Sequence, residues 1–175
     1  MTRKILFIDD DQAILETFER VLGLEYDIAT ASNGPDGVKM LQDEGPFAVV
    51  VSDLRMPKMD GVETLARIKE LSPNTVRVML TGHADLDAAI ASVNEGRVFR
   101  FLTKPCPPPI LKTTLDASLE QHRLVTAEKE LLRDTLRGAI KVLTDTMAVL
   151  KPDVYGRSSR LLPYIRQLSA KMDDP

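Results

Sequence analysis

Phe47-Ala48-Val49-Val50-Val51-Ser52-Asp53-Leu54-Arg55-Met56-Pro57-Lys58-Met59-Asp60-Gly61 is the stretch on which the reading of this chain turns. Phe47 to Val51 is a short apolar run of the kind buried on both faces of a sheet. It ends in an acid, Asp53. Pro57 and Gly61 punctuate the loop that follows. Beyond the loop, Val62, Leu65, Ala66, Ile68 and Leu71 recur at helical spacing.

The same alternation extends in both directions. Upstream, Lys4 to Ile8 is an apolar run closed by Asp9, Asp10 and Asp11. Gln12 to Leu22 then carries Ile14, Leu15, Phe18, Val21 and Leu22 on one helical stripe. Tyr26 to Ala29 reads as a weak short strand. Asn33-Gly34 signals a turn, and Pro35 suits the first turn of a helix running to about Gln42. Downstream, Val76 to Leu80 is a strand ending at Thr81-Gly82, and Leu86 to Val93 reads as helix. Val98 to Leu102 is the last strand, ending at Thr103-Lys104-Pro105. Apolar strands alternating with helices imply a parallel sheet covered on both faces. Right-handed crossovers make five such units an α/β doubly wound sandwich, in which ligands bind beyond the carboxyl ends of the strands. Asp9 and Asp10, Asp53, Thr81 and Lys104 all fall at such ends. Four segments therefore bring polar groups to one rim.

Composition narrows the classes. The chain has 175 residues, enough for one domain and an appendage. With 43% hydrophobic and 28% charged residues it reads as globular rather than disordered. A net charge of -3 offers no broad basic face for nucleic acid, and the lack of tryptophan disfavours base stacking. Cys106 is the one cysteine, so no internal disulfide forms. No run reaches the ~20 apolar residues of a membrane span, and Ile5 to Ile8 is too short for a signal-peptide core. A cytoplasmic protein without membrane contact is expected.

The tail has a different character. Pro107-Pro108-Pro109 can open a helix but not sit inside one. From Ile110 to about Leu150 there is no proline, and a seam of alternating four- and three-residue steps can be drawn. It runs Leu111, Leu115, Ser118, His122, Val125, Lys129, Leu132, Leu136, Ala139, Leu143, Thr146, Leu150. Residues 110–150 are thus expected to form a long helix with a coiled-coil seam and to self-associate as a homodimer. The alternative is a long helix folded against something else. Lys151-Pro152-Asp153 breaks it, and Ser158 to Met172 reads as a further short helix.

The rim carries the chemistry. Asp9, Asp10 and Asp53 cannot all stay charged side by side without a counterion. A hard divalent cation held by a few oxygens answers that need: Mg²⁺, or Mn²⁺ in its place. Lys104 adds a point positive charge, and Thr81 a hydroxyl that can donate to an oxyanion. Such a set neutralises a transferring phosphoryl group, and a carboxylate can itself be the nucleophile. Helix caps and solvated loop acids are the plainer explanation for any one of these residues. Five of them at strand ends, in this order, outweigh it.

On these residues the segment from Lys4 to about Leu119 resembles a response-regulator receiver domain of two-component signalling. The matching pieces are Ile8-Asp9-Asp10-Asp11, Asp53 to Gly61, Leu80-Thr81-Gly82-His83 and Phe101-Leu102-Thr103-Lys104-Pro105. The resemblance implies a receiver over residues 1–120 with strand order 2-1-3-4-5. It implies Asp53 as phosphoacceptor, supplied by a sensor histidine kinase. Asp10, Asp53 and the Arg55 backbone carbonyl would ligate Mg²⁺, with Asp9 acting through water. Lys104 would pair with the acyl phosphate. Thr81 would swing toward it on activation and draw Phe101 inward. Lys104-Pro105 would be cis. Arg55 and His83, two residues past the acceptor and past Thr81, would tune the lifetime of the phosphoryl group. His122 reads as a surface or seam residue rather than a phosphodonor.

Leu131 to Met172 resembles the linker and opening helices of HD-type (HD-GYP-like) phosphohydrolase regulators. The pieces are Thr135 to Leu143 and Pro152 to Arg160. In catalytic members a metal-binding histidine would stand where Arg157 stands, and the His-Asp pair is absent. Arginine does not ligate cations. Residues 151–175 are therefore expected to be the start of a degenerate domain, in a chain that is either a fragment or has lost its output. Other functions compete with a phosphoryl-accepting switch. A receiver-like module that only binds a partner could have lost any of the five rim residues. An aspartate-nucleophile phosphatase needs a second acid where Arg55 stands. A DNA-binding output would show a helix-turn-helix with a basic face, and none is visible.

Overall fold

The structure, a computed structural model, describes residues 2–82 and 98–150, with side chains as far as 147. The expected helix at Leu86–Val93, the residue His83 and the whole of 151–175 lie outside the described residues. The elements are β1 (Ile5–Ile8), α1 (Gln12–Leu22), β2 (Ile28–Ala31), α2 (Gly34–Glu44), β3 (Val49–Asp53), α3 (Gly61–Leu71), β4 (Val76–Thr81), β5 (Arg100–Thr103) and α4 (Pro108–Leu150). All sheet pairings are parallel, in the order β2-β1-β3-β4-β5.

The central strands β1 and β3 are buried at every residue, so Ile5–Ile8 and Val49–Val51 are apolar without alternation, and only the Ser52-Asp53 end of β3 is polar. Successive side chains still point to opposite faces. Leu6, Ile8, Val50 and Met79 pack with Leu41 of α2 and with Leu65 and Ile68 of α3. Ile5, Phe7, Val49, Val51, Val78 and Leu80 pack with Leu15 and Leu22 of α1 and with Leu111 and Leu115 of α4. Three helix starts are capped by side chains. Asp11 accepts from the Ala13 and Ile14 amides, Asn33 from Asp36 and Asp60 from Glu63.

β1 ends where its apolar run does, and the other four strands end one or two residues beyond theirs. β2 is Ile28–Ala31 rather than Tyr26–Ala29, because the Tyr26 amide still bonds the Leu22 carbonyl at 3.0 Å and belongs to the turn closing α1. β3 and β4 include Asp53 and Thr81 as their last residues. The ladder holds Asp53 opposite Leu80, and the Leu54 amide bonds Leu80 O at 3.0 Å. β5 starts at Arg100, two residues after Val98. Lys104-Pro105 is cis, as expected, and so is Gly45-Pro46.

The chain divides into two units, residues 1–127 and 128–175. In the first, Leu111, Leu115, Ser118 and His122 are buried. His122 is therefore not a surface residue: with the seam positions Leu111, Leu115 and Ser118 it stands on the helix face that α4 turns toward the rest of its unit. In the second, the described large apolar residues of α4 are exposed.

Candidate functional site

β1 ends one residue before Asp9 and two before Asp10, β3 ends on Asp53, β4 on Thr81, and β5 one residue before Lys104. Parallel register brings these ends to one edge. Ile8 stands beside Ser52, Asp53 beside Leu80, and Thr81 beside Thr103. One carboxylate oxygen from each of Asp9, Asp10 and Asp53 lies within 4.8 Å of the others, the one such acidic group among the described residues. Asp9 and Asp53 are buried, Asp10 exposed. The Lys104 ammonium donates to Asp9 Oδ2 at 2.6 Å and reaches Asp53 Oδ1 at 2.9 Å. Asp9 Oδ1 accepts from the Asp11 amide at 3.0 Å, so both of its oxygens are held. Asp11 in turn caps α1.

Burial pushes the Asp53 carboxyl above the ordinary carboxylate range. The hydrogen bond and charge of Lys104 oppose this, and the neighbouring Asp9 adds to it. At Lys104, burial alone would lower the ammonium, but the hydrogen bonds and charges of Asp9 and Asp53 together raise it. The lysine thus stays protonated between the two carboxylates it bridges. One ammonium against three carboxylates leaves excess negative charge at the rim. With an all-oxygen donor set, this fits a hard divalent cation.

Thr81 is fully buried, its hydroxyl donating to Gly82 O at 3.2 Å, while its carbonyl accepts from the Lys104 amide at 2.8 Å. Phe101 sits opposite Met79 on β5, half-buried against the α2–α3 side of the core. Arg55 is exposed on the β3–α3 loop and lines a depression with Asp10, Met56, Pro57 and Asp60. The structure thus brings Asp9, Asp10, Asp53 and Lys104 into direct proximity. It sets Thr81 on the adjoining strand, Phe101 on the edge strand and Arg55 on the rim.

Several residues that shape the site carried no role in the sequence reading. Gly61 is the clearest. A Cβ there would stand 2.1 Å from Asp53 O and 2.9 Å from Leu54 Cα, so only glycine lets α3 start against the strand end. The Gly61 amide bonds Leu54 O at 2.9 Å. Met56 and Met59 are buried and anchor the loop, Lys58 takes a positive φ of 72° there, and the buried Ser52 hydroxyl donates to Asp53 O at 2.9 Å. Gly61 was legible as punctuation, but its need for close backbone approach was not. Asp11 was legible as a cap, since it directly precedes the first helical stripe.

Comparison with known proteins agrees with this geometry. The family model described as "Response regulator receiver domain" matches residues 5–116. The transcriptional regulatory protein GlrR of Escherichia coli (strain K12) is 36% identical over 126 residues, 71% of this chain and 28% of GlrR. A crystal structure described as adenylate cyclase from Rhodopirellula baltica is 41% identical with a TM-score of 0.74, covering 76% of this chain and 98% of that one. The signal receiver domain of an HD domain-containing protein from Pseudomonas fluorescens Pf-5 is 31% identical with a TM-score of 0.65, covering 70% and 98%. The chain spans less than a third of the length of the curated relatives it matches. With the 2-1-3-4-5 sheet and the acidic rim on which it converges, this chain belongs to the response-regulator receiver family, whose general function is phosphorylation-dependent signalling.

Proposed function

We propose that Asp53 is the phosphoacceptor of a two-component response regulator, and that its phosphorylation switches the association or output of the helical tail. The observation that carries this is the Lys104 ammonium bridging Asp9 and Asp53, with Asp10 beside them. An Asp53 oxygen attacks the phosphorus of a phosphohistidine on a sensor kinase. A P–O bond forms, the P–N bond breaks, and the imidazole leaves with a proton. Lys104 then pairs with the new phosphoryl oxygens. Mg²⁺ or Mn²⁺ held by Asp10, Asp53 and the Arg55 carbonyl, with Asp9 through water, would supply the remaining charge neutralisation.

The Thr81 hydroxyl gives up the carbonyl of Gly82, its partner at 3.2 Å among the described residues, when it turns to a phosphoryl oxygen. Phe101, half-buried on the edge strand, is proposed to follow it inward. Moving such a switch from 1:99 to 99:1 requires roughly 5.5 kcal/mol of differential stabilisation. A doubly negative phosphate beside Lys104 supplies part of that. Arg55 and His83 are proposed to shield the phosphoryl group from water. Unchanged dephosphorylation rates in Arg55→Ala and His83→Ala would remove them from that role.

This reading makes the chain an acceptor that catalyses its own phosphorylation and dephosphorylation, not an enzyme with a separate substrate. Its parts are a receiver over 1–120, a self-association helix over 110–150 and the start of a degenerate HD-type segment over 151–175. The receiver of an HD domain-containing protein among the similar structures favours the last assignment. No helix among the described residues is long and apolar enough to cross a membrane. The test is incubation with Mg²⁺ and a small phosphodonor, followed by intact-mass measurement. Wild type should gain one phosphoryl group and Asp53→Asn none. An equal gain on both would remove Asp53 from the role.

A further inference from the structure

The seam read along α4 divides between two kinds of neighbour. Its first members, Leu111, Leu115, Ser118 and His122, are buried within the receiver unit and are not available to any partner. Val125 follows, half-buried, and the members beyond it begin at Lys129 and Leu132. In the second unit Leu131, Leu132, Leu136, Ile140, Val142, Leu143 and Met147 are between 56% and 70% exposed. With Leu132 at heptad position d, Leu136 and Leu143 fall at a, and Ala139 and Thr146 at d. Ile140 and Met147 fall at e and Val142 at g, which widens the stripe beyond a two-position seam. Arg137 and Lys141, with Glu130, Asp134 and Asp145, stand away from it.

The charges beside the stripe select the occupant. Glu128 falls at g and Arg133 at the e position five residues on. In a parallel, in-register pair of identical helices, g of one strand meets the following e of the other. Glu128 of each copy would then face Arg133 of its mate, twice by symmetry. An antiparallel pair sets g against g and e against e, and leaves both charges without that match. Lys129 stands at a. A single lysine at that position favours one register at some cost in stability.

We propose that the stripe from Leu132 to Met147 docks a second copy of this chain, parallel and in register, framed by crossed Glu128–Arg133 pairs. The proposal rests on the reading of α4 as a self-association element. It does not depend on phosphorylation of Asp53, which the mass experiment tests separately.

The full 175-residue chain should sediment as an assembly of copies. Leu136→Glu combined with Leu143→Glu should weaken association on the order of 100-fold, by burying charge in the seam. Arg137→Glu, on the opposite side of the helix, should leave it unchanged. In a Cys106→Ser background, Leu132→Cys should form a disulfide dimer under mild oxidation, because only the parallel register sets position 132 against itself. Glu128→Arg should weaken the assembly, and adding Arg133→Glu should restore it. A monomer at all concentrations would overturn both the inference and the self-association reading. An assembly that neither cross-links through position 132 nor responds to the charge exchange would overturn the parallel register alone.

Discussion

Two stretches of α4 carry similar apolar spacing and meet different surroundings. Between Leu111 and His122 one face, Leu111, Thr114, Leu115, Ser118 and His122, is buried, and Ser118 turns its hydroxyl onto the Thr114 carbonyl at 2.7 Å. Between Leu131 and Met147 residues of the same type stand in solvent. The first stretch is further tied by the Tyr26 hydroxyl donating to Asp116 at 2.9 Å and by the Lys112–Glu25 ion pair. Helical periodicity reports that a face must be covered. It does not say by what, because a sheet and a second helix ask for the same stripe.

The sharpest way to break this contrast is to truncate one leucine in each stretch. Leu115→Ala should destabilise the receiver by about 2–5 kcal/mol, since a fully buried leucine leaves a cavity. Leu136→Ala should shift unfolding of a dilute sample by no more than about 0.5 kcal/mol, since it is exposed there. Denaturant melts of both decide it. Equal losses would mean that the second stretch is also packed within the chain.

A smaller effect is expected at the tie between α4 and the turn before β2. Tyr26→Phe should cost about 1 kcal/mol for one hydrogen bond. Burial, then the hydrogen bond to Asp116, pushes the Tyr26 phenol up to about 12. A phenol raised in the folded state adds stability that is complete below its ordinary pKa and lost as pH rises through the folded one. Ultraviolet titration should therefore show one tyrosine ionising near 12 in wild type and not in Tyr26→Phe.

The smallest effect belongs to His122. Burial holds its imidazole below the ordinary value. A depressed histidine gives stability that is present above the ordinary imidazole pKa and lost as pH falls through the folded value. His122→Gln should flatten the loss of stability as pH falls below the ordinary imidazole pKa of about 6.5. The same slope in variant and wild type would assign the pH dependence to other groups.

Much of this was legible before any coordinates. The order of strands and helices follows from apolar runs alternating with helical stripes. α1 was read at its observed limits because the apolar period of Ile14, Leu15, Phe18, Val21 and Leu22 marks them. β2 was displaced because Tyr26 is apolar enough to look like strand while its amide is still engaged by α1. The rim residues could be picked out because strand ends are where this fold gathers its polar groups. The fit of Gly61 against Asp53 O and the burial of His122 were not readable, since both depend on residues brought together from other parts of the chain.

The sequence by itself determined the layered fold and the identity of the acids, hydroxyl and lysine at its rim. Burial leaves a period in the chain, and charge at a strand end interrupts it. Only the tertiary structure decided that Lys104, 95 positions from Asp9, reaches both that residue and Asp53, and that α4 spends its first stretch on the receiver unit. Hydrophobic period is a local property of one segment, whereas a shared proton donor or a covered face depends on which distant segment arrives.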